Sequence, residues 1–244
     1  LNSLMYISPQ GVVPAYPGDV KKLVFAQCGN GIWELNDTLR KKKLSLNAIA
    51  VFYRINSQSR ALEDALRRAK IPYKIVGGLE FYKRKEIKDI IAYLRVITNQ
   101  NDEESILRIM TFPQRGIGNT SISKMIQFSR KLNIPLYSTM ARVFEVIEVK
   151  ERIQKNVKQF RILLEKYIDL RSNLALNELL SALINELGIL KIYKEENTPE
   201  SQQRFENFQE LIASVNDFCK NNPERTIEDY LADVSLITGV DTYN

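Results

Sequence analysis

The spacing of apolar residues changes once along this chain, near residue 80, and that change limits what the chain can fold into. Before it, apolar residues come in short runs: "KLVFAQC" over 22–28, "AIAVFYR" over 48–54 and "IPYKIVGG" over 71–78. Their β-branched and aromatic content suits strands buried in a parallel sheet. Between the last two lies "INSQSRALEDALRRAK", where Leu62, Ala65, Leu66 and Ala69 share one helical face and Ser57 or Ser59 supplies a cap. Strand, helix and strand in that order make a βαβ unit with a right-handed crossover. Residues 1–20 carry Pro9, Gly11, Pro14, Pro17 and Gly18 without periodicity and read as a lead-in loop.

From Glu86 onward the spacing is helical. "EIKDIIAYLRVITN" puts Ile87, Ile90, Ile91, Leu94 and Ile97 on one stripe, and Asn101 or Asp102 caps the helix that follows. The acids Asp102, Glu103 and Glu104 therefore read as a helix start rather than a metal site. Further helices are expected over 103–111, 120–131, 136–147, 150–172, 176–187, 199–220 and 226–236, with Phe144, Phe160, Tyr167, Phe205, Phe208, Phe218 and Tyr230 in their core. The expected fold is α/β plus all-α: an incomplete parallel sheet over residues 1–80, then a helical domain over 81–244.

Several chemistries are excluded by composition. The 244 residues include no histidine, which removes histidine bases, triads built on histidine and histidine-ligated metals. Cys28 and Cys219 lie far apart with no CxxC pairing, so neither a zinc site nor a disulfide framework is expected. No G-x-x-x-x-G-K-[ST] occurs, and no nucleophile is accompanied by a paired acid and base. No catalytic residues are therefore assigned. There is no apolar run long enough to cross a bilayer and no basic-then-apolar leader, so the chain reads as cytoplasmic, without a membrane partner. The net charge of +6 is uneven: residues 1–80 carry +6, residues 81–150 carry +5 and the remainder −5. A basic first part on an acidic helical remainder suits a polyanion.

One stretch in the basic part stands out. In "FPQRGIGNTS", Phe112 to Ser121, Gly116 and Gly118 allow a tight turn or a close approach, and Asn119, Thr120 and Ser121 are competent caps for the helix behind them. A helix N-terminus with free N–H groups receives anions, and Arg115 and Lys124 add charge. The plain alternative is a glycine turn between packed helices. In the same way, Arg54, Asn56 and Ser57 fall beyond the carboxyl end of a strand, where α/β sheets gather ligands.

Three blocks over Ile49 to Gly118 carry a resemblance: "YRINSQSR", "GGLEFYKRKEIKDIIAYLR" and "PQRGIG", in that order. They resemble the UvrD/PcrA/Rep group of superfamily 1 DNA helicases; residues up to about Ile237 have the family's helical texture without sharp motifs. The resemblance implies that residues 1–80 are part of the second RecA-like motor domain and residues 81–244 the accessory domain inserted in it. It implies a piece of an ATP-dependent 3′-to-5′ helicase, with ATP and Mg2+ used by the parent protein and none bound by this fragment. Arg54, Asn56 and Ser59 match the family's single-strand contact loop. Arg115, Gly116, Ile117, Gly118 and Thr120 match a helix-hairpin-helix element that grips duplex phosphates. Both contacts are independent of base sequence. Glu80 departs from relatives that carry a basic residue there, and is not counted as a contact. A rival expectation is a helical protein-interaction module that has lost motor function, and a nuclease-fused relative is a third.

Overall fold

The computed structural model describes residues 3–7, 22–25, 49–53, 59–68, 71, 73–76 and 81–239. The chain divides into two compact units, Leu1–Arg84 and Lys85–Asn244.

In the first unit, strands β1 (Ser3–Ile7), β2 (Lys22–Phe25), β3 (Ile49–Tyr53) and β4 (Tyr73–Val76) form one sheet in the order β2-β3-β1-β4. Helix α1 (Ser59–Arg68) connects β3 to β4. It buries Leu62 and Leu66, and also Glu63, whose carboxylate accepts the Phe81 N–H at 3.1 Å. A buried carboxylate on a backbone donor fixes where the chain leaves the unit. A short 3-10 turn, Phe81–Lys83, follows, and the Arg84 guanidinium lies 5.2 Å from the Phe81 ring centroid.

The expected incomplete parallel sheet is corrected here. The described residues are mostly helical, and the sheet they include is mixed: β1 lies between β3 and β4 and runs antiparallel to both, leaving β2 with β3 as the parallel pair among the described strands. β3 and β4 are therefore not neighbours, and the βαβ unit is split by a strand from the stretch read as a lead-in loop. The reason is local. "SLMYI" is five residues long and is followed closely by Pro9 and Gly11, too short for its alternation to register as a strand signal.

The second unit is built around α2 (Lys85–Thr98). Its predicted stripe is buried, but so are Tyr93 and Val96 on other faces, because α3 (Glu103–Met110), α6 (Glu151–Leu170), α9 (Pro199–Asn221) and α10 (Ile227–Gly239) all pack on it. A helix apolar on most sides is a core helix. Polar ties register its neighbours: Asp89 receives Arg108 Nε of α3 at 2.7 Å, and Arg171 Nη1 at the end of α6 donates to the Ile97 and Thr98 carbonyls at 3.0 and 3.1 Å. The remaining helices are α4 (Asn119–Leu132), α5 (Leu136–Ala141), α7 (Leu176–Glu186) and α8 (Ile189–Glu196).

The helix expected over 136–147 stops early. After α5 a 3-10 turn covers Val143–Glu145, and Val143, Val146 and Val149 are buried at a spacing of three, the repeat of a 3-10 path rather than an α-helix. That path turns Phe144 out to 49% exposure and Ile147 to 88%, so Phe144 is not a core residue. Phe160, Tyr167, Phe208 and Tyr230 are buried as expected.

Candidate nucleic-acid interface

The site is the connection from α3 to α4. α3 begins at Asp102, whose carboxylate accepts the Ser105 N–H at 3.0 Å and the Ser105 hydroxyl at 2.7 Å, as a helix-start reading of the acids requires. The helix ends at Met110, and the chain then turns through a cis Phe112–Pro113 bond to Gly116. Gly116 has φ +70°, a left-handed conformation that glycine adopts freely. Ile117 is 5% exposed and pins the turn to the core, while Gly116, Gly118, Asn119 and Thr120 are exposed.

α4 starts at Gly118, which has extended backbone (φ −89°, ψ 162°) and no side-chain cap. Its carbonyl accepts the Ser121 and Ile122 N–H groups at 3.0 and 3.1 Å. Asn119 and Thr120, the first two helical residues, have no i−4 acceptor within the helix, and their N–H groups lie at its positive end. Nothing lies within 4 Å of where a Cβ on Gly118 would stand. The three polar residues that looked like caps lie inside the helix instead of before it.

Arg115 is turned inward. Nη1 donates to the carbonyls of Ile109, Phe112 and Pro113 at 3.1, 2.7 and 3.0 Å, and Nη2 donates to the Tyr93 hydroxyl. The guanidinium also lies 4.5 Å from the Phe160 ring centroid. Tyr93, fully buried on α2, donates its own proton to the Phe112 carbonyl at 2.6 Å. Burial pushes its phenol far above the ordinary tyrosine range, against the pull of Arg115, so it remains a neutral donor. From α6, Asn156 Nδ2 donates to the Arg115 carbonyl at 2.9 Å, and it stands 3.4 Å from where a Gly116 Cβ would be. Lys124 Nζ reaches the Glu148 carbonyl at 2.6 Å.

The structure thus brings Arg115, Gly116, Ile117, Gly118 and Thr120 together in one turn. Arg54 and Asn56, like Glu80, lie outside the described residues, and Ser59 is the first residue of α1. Sequence reasoning missed Tyr93, Asn156 and Phe160 as builders of this turn. Tyr93 sits in the "AYLR" block and reads as one more core aromatic, and nothing in the spacing links residues 156 and 160 to residue 115. The sequence has no P-loop, and among the described residues no three His, Cys, Asp or Glu side chains are grouped so as to hold a metal ion.

α3 and α4 are thus joined by a glycine turn, and the N-terminus of α4 is open and exposed. The family described as the UvrD-like helicase C-terminal domain matches residues 29–242, and the chain belongs to that family. It is 33% identical over 195 residues to the ATP-dependent DNA helicase PcrA of Staphylococcus aureus (strain Mu50 / ATCC 700699), covering 79% of this chain and 27% of that protein. It is 33% identical over 210 residues to the ATP-dependent DNA helicase PcrA of Bacillus subtilis (strain 168), covering 86% of this chain and 28% of that protein. The chain therefore spans little more than a quarter of the length of these curated relatives. Among the described residues no helix is long and apolar enough to cross a membrane.

Proposed function

We propose that this chain is the DNA-binding accessory region and part of the second motor domain of an ATP-dependent 3′-to-5′ DNA helicase that unwinds duplex DNA in repair or replication. Family membership and the helicase activity named for the relatives support the motor assignment, with residues 1–80 as the motor part and residues 81–244 as the accessory domain. ATP and Mg2+ belong to the whole protein. This chain alone is inactive as an ATPase, and purified chain that hydrolyses ATP on adding DNA would contradict that assignment. In this reading the protein is cytoplasmic and its partner is DNA, single-stranded at Arg54, Asn56 and Ser59 and duplex at the turn formed by Arg115, Gly116, Ile117, Gly118 and Thr120.

The observation that carries the duplex reading is the exposed start of α4 behind a glycine turn, with the Asn119 and Thr120 N–H groups at its positive end. A backbone phosphate there is held regardless of base sequence. The test is Gly118→Val in the 244-residue chain. φ at Gly118 is ordinary and the space around it is empty, so the fold is kept, while a branched side chain stands where the phosphate backbone would approach. Duplex affinity is expected to fall about tenfold, equally for unrelated sequences, with the circular dichroism spectrum unchanged and stability lowered by about 1 kcal/mol at most. Unchanged affinity in the folded variant would reduce the turn to a packed connector.

A further inference from the structure

We infer that Arg115 is a positioning residue for the phosphate-binding turn rather than a phosphate ligand, and that Asn156 of α6 is the other half of the same clamp. The inference rests on the duplex reading of the turn and specifies how the turn is held.

Both ends of the guanidinium are engaged inside the protein, by three carbonyls at one nitrogen and the Tyr93 hydroxyl at the other. Its face lies against Phe160. Ile109 is in the last turn of α3, the negative end of that helix, so Arg115 neutralises a carbonyl end that would otherwise oppose an anion bound nearby. Asn156 then fixes the Arg115 carbonyl from α6, immediately before the one backbone position in the turn with positive φ. Three helices outside α4 thus set the path of residues 112–116: α2 through Tyr93, α3 through Ile109 and α6 through Asn156 and Phe160. The direction of the first α4 N–H groups follows from that path. A binding group held only to within an ångström or so loses much of its strength, which is why such supports matter.

A phosphate ligand and a positioning residue predict different salt behaviour. Losing one ionic contact flattens the slope of log affinity against log salt by about one, whereas losing geometry lowers affinity and leaves the slope unchanged. Lysine separates the two again: it keeps the charge but has neither the planar fork nor the stacking face.

The experiment measures affinity of the 244-residue chain for a mixed-sequence DNA duplex across a salt series, with circular dichroism as the folding control. The variants are Arg115→Ala, Arg115→Lys and Asn156→Ala. All three are expected to bind about tenfold more weakly, with the wild-type slope. Wild-type affinity in Arg115→Lys, or a slope about one unit flatter in Arg115→Ala, would overturn the inference and make Arg115 a phosphate ligand. If Arg115→Ala does not fold, Asn156→Ala carries the test, because an uncharged residue on another helix affects binding only through the turn; wild-type affinity there would overturn the clamp. Gly118→Val, measured alongside, reports on the underlying reading: no loss there removes the turn as a binding site and this inference with it, whereas a loss there with intact binding in Arg115→Lys removes this inference alone.

Discussion

α3 and α4 are consecutive helices with opposite beginnings. α3 is closed by its own sequence, with the Asp102 carboxylate on the Ser105 N–H and hydroxyl. α9 and α10 are closed similarly, by Thr198 with Ser201 and by Thr226 with Asp229. α4 begins on a glycine without a side chain, and the chain's effort goes into holding the turn before it through Arg115, Tyr93 and Asn156. A capped start satisfies its N–H groups internally, whereas an uncapped but rigidly aimed start keeps them for something else. The starts of α5, α6 and α8 also lack a side-chain cap, so the open end alone does not single out α4; what separates it from α3 is the held glycine turn before it, which the proposed reading uses for contact.

The largest expected effect comes from breaking the aim of α4. Gly116→Val puts a β-branched residue at φ +70° with Asn156 already beside it, and is expected to destabilise the second unit by about 2 kcal/mol or more, read by urea denaturation. Gly118→Ala, two residues on, is expected to change stability by no more than about 0.5 kcal/mol. Equal losses would mean that the turn is not held at Gly116. Next comes giving α4 the start that α3 has. Gly118→Asp supplies a carboxylate cap, so stability is expected to rise by a few tenths of a kcal/mol, while duplex affinity falls about tenfold because the carboxylate occupies the anion position. A gain in both would sever the link between the open end and binding.

How much of this was legible depended on how local each cause was. Asp102 as a cap followed from its place before an apolar stripe, and the buried stripe of α2 followed from its spacing. The glycine turn was visible as a turn, but its builders were not: Asn156 lies far along the chain, and the inward direction of Arg115 depends on where Tyr93 and Phe160 stand. β1 was missed because pairing, not alternation, makes five residues a strand, and its place between β3 and β4 is a property of the sheet. Phe144 was misplaced because a spacing of three and one of three to four look alike over so few residues.

A smaller effect tests the closed helix. Asp102→Ala is expected to cost about 1 kcal/mol and to leave duplex affinity unchanged, because the proposed reading puts the contact at the start of α4 and not of α3. A loss of affinity matching that of Gly118→Asp would show that both ends serve the same function and dissolve the comparison.

The smallest effect concerns how α3 is anchored to α2. Asp89 is 3% exposed and receives Arg108 Nε at 2.7 Å. Burial raises its pKa above the ordinary 3.8, outweighing the opposing pull of Arg108. A folded pKa above the unfolded one means that the native state binds the proton more readily. The favourable contribution is therefore fully present below the unfolded value and is lost as pH rises through the folded one. Wild type and Asp89→Asn should accordingly draw apart as pH rises from about 4 to about 7, with wild type losing ground to the neutral variant. Urea denaturation of both at the two pH values checks this. A difference moving in favour of wild type with rising pH would mean that the ion pair outweighs burial, making the Asp89–Arg108 tie a net source of stability at neutral pH rather than a device that fixes the register of α3 on α2.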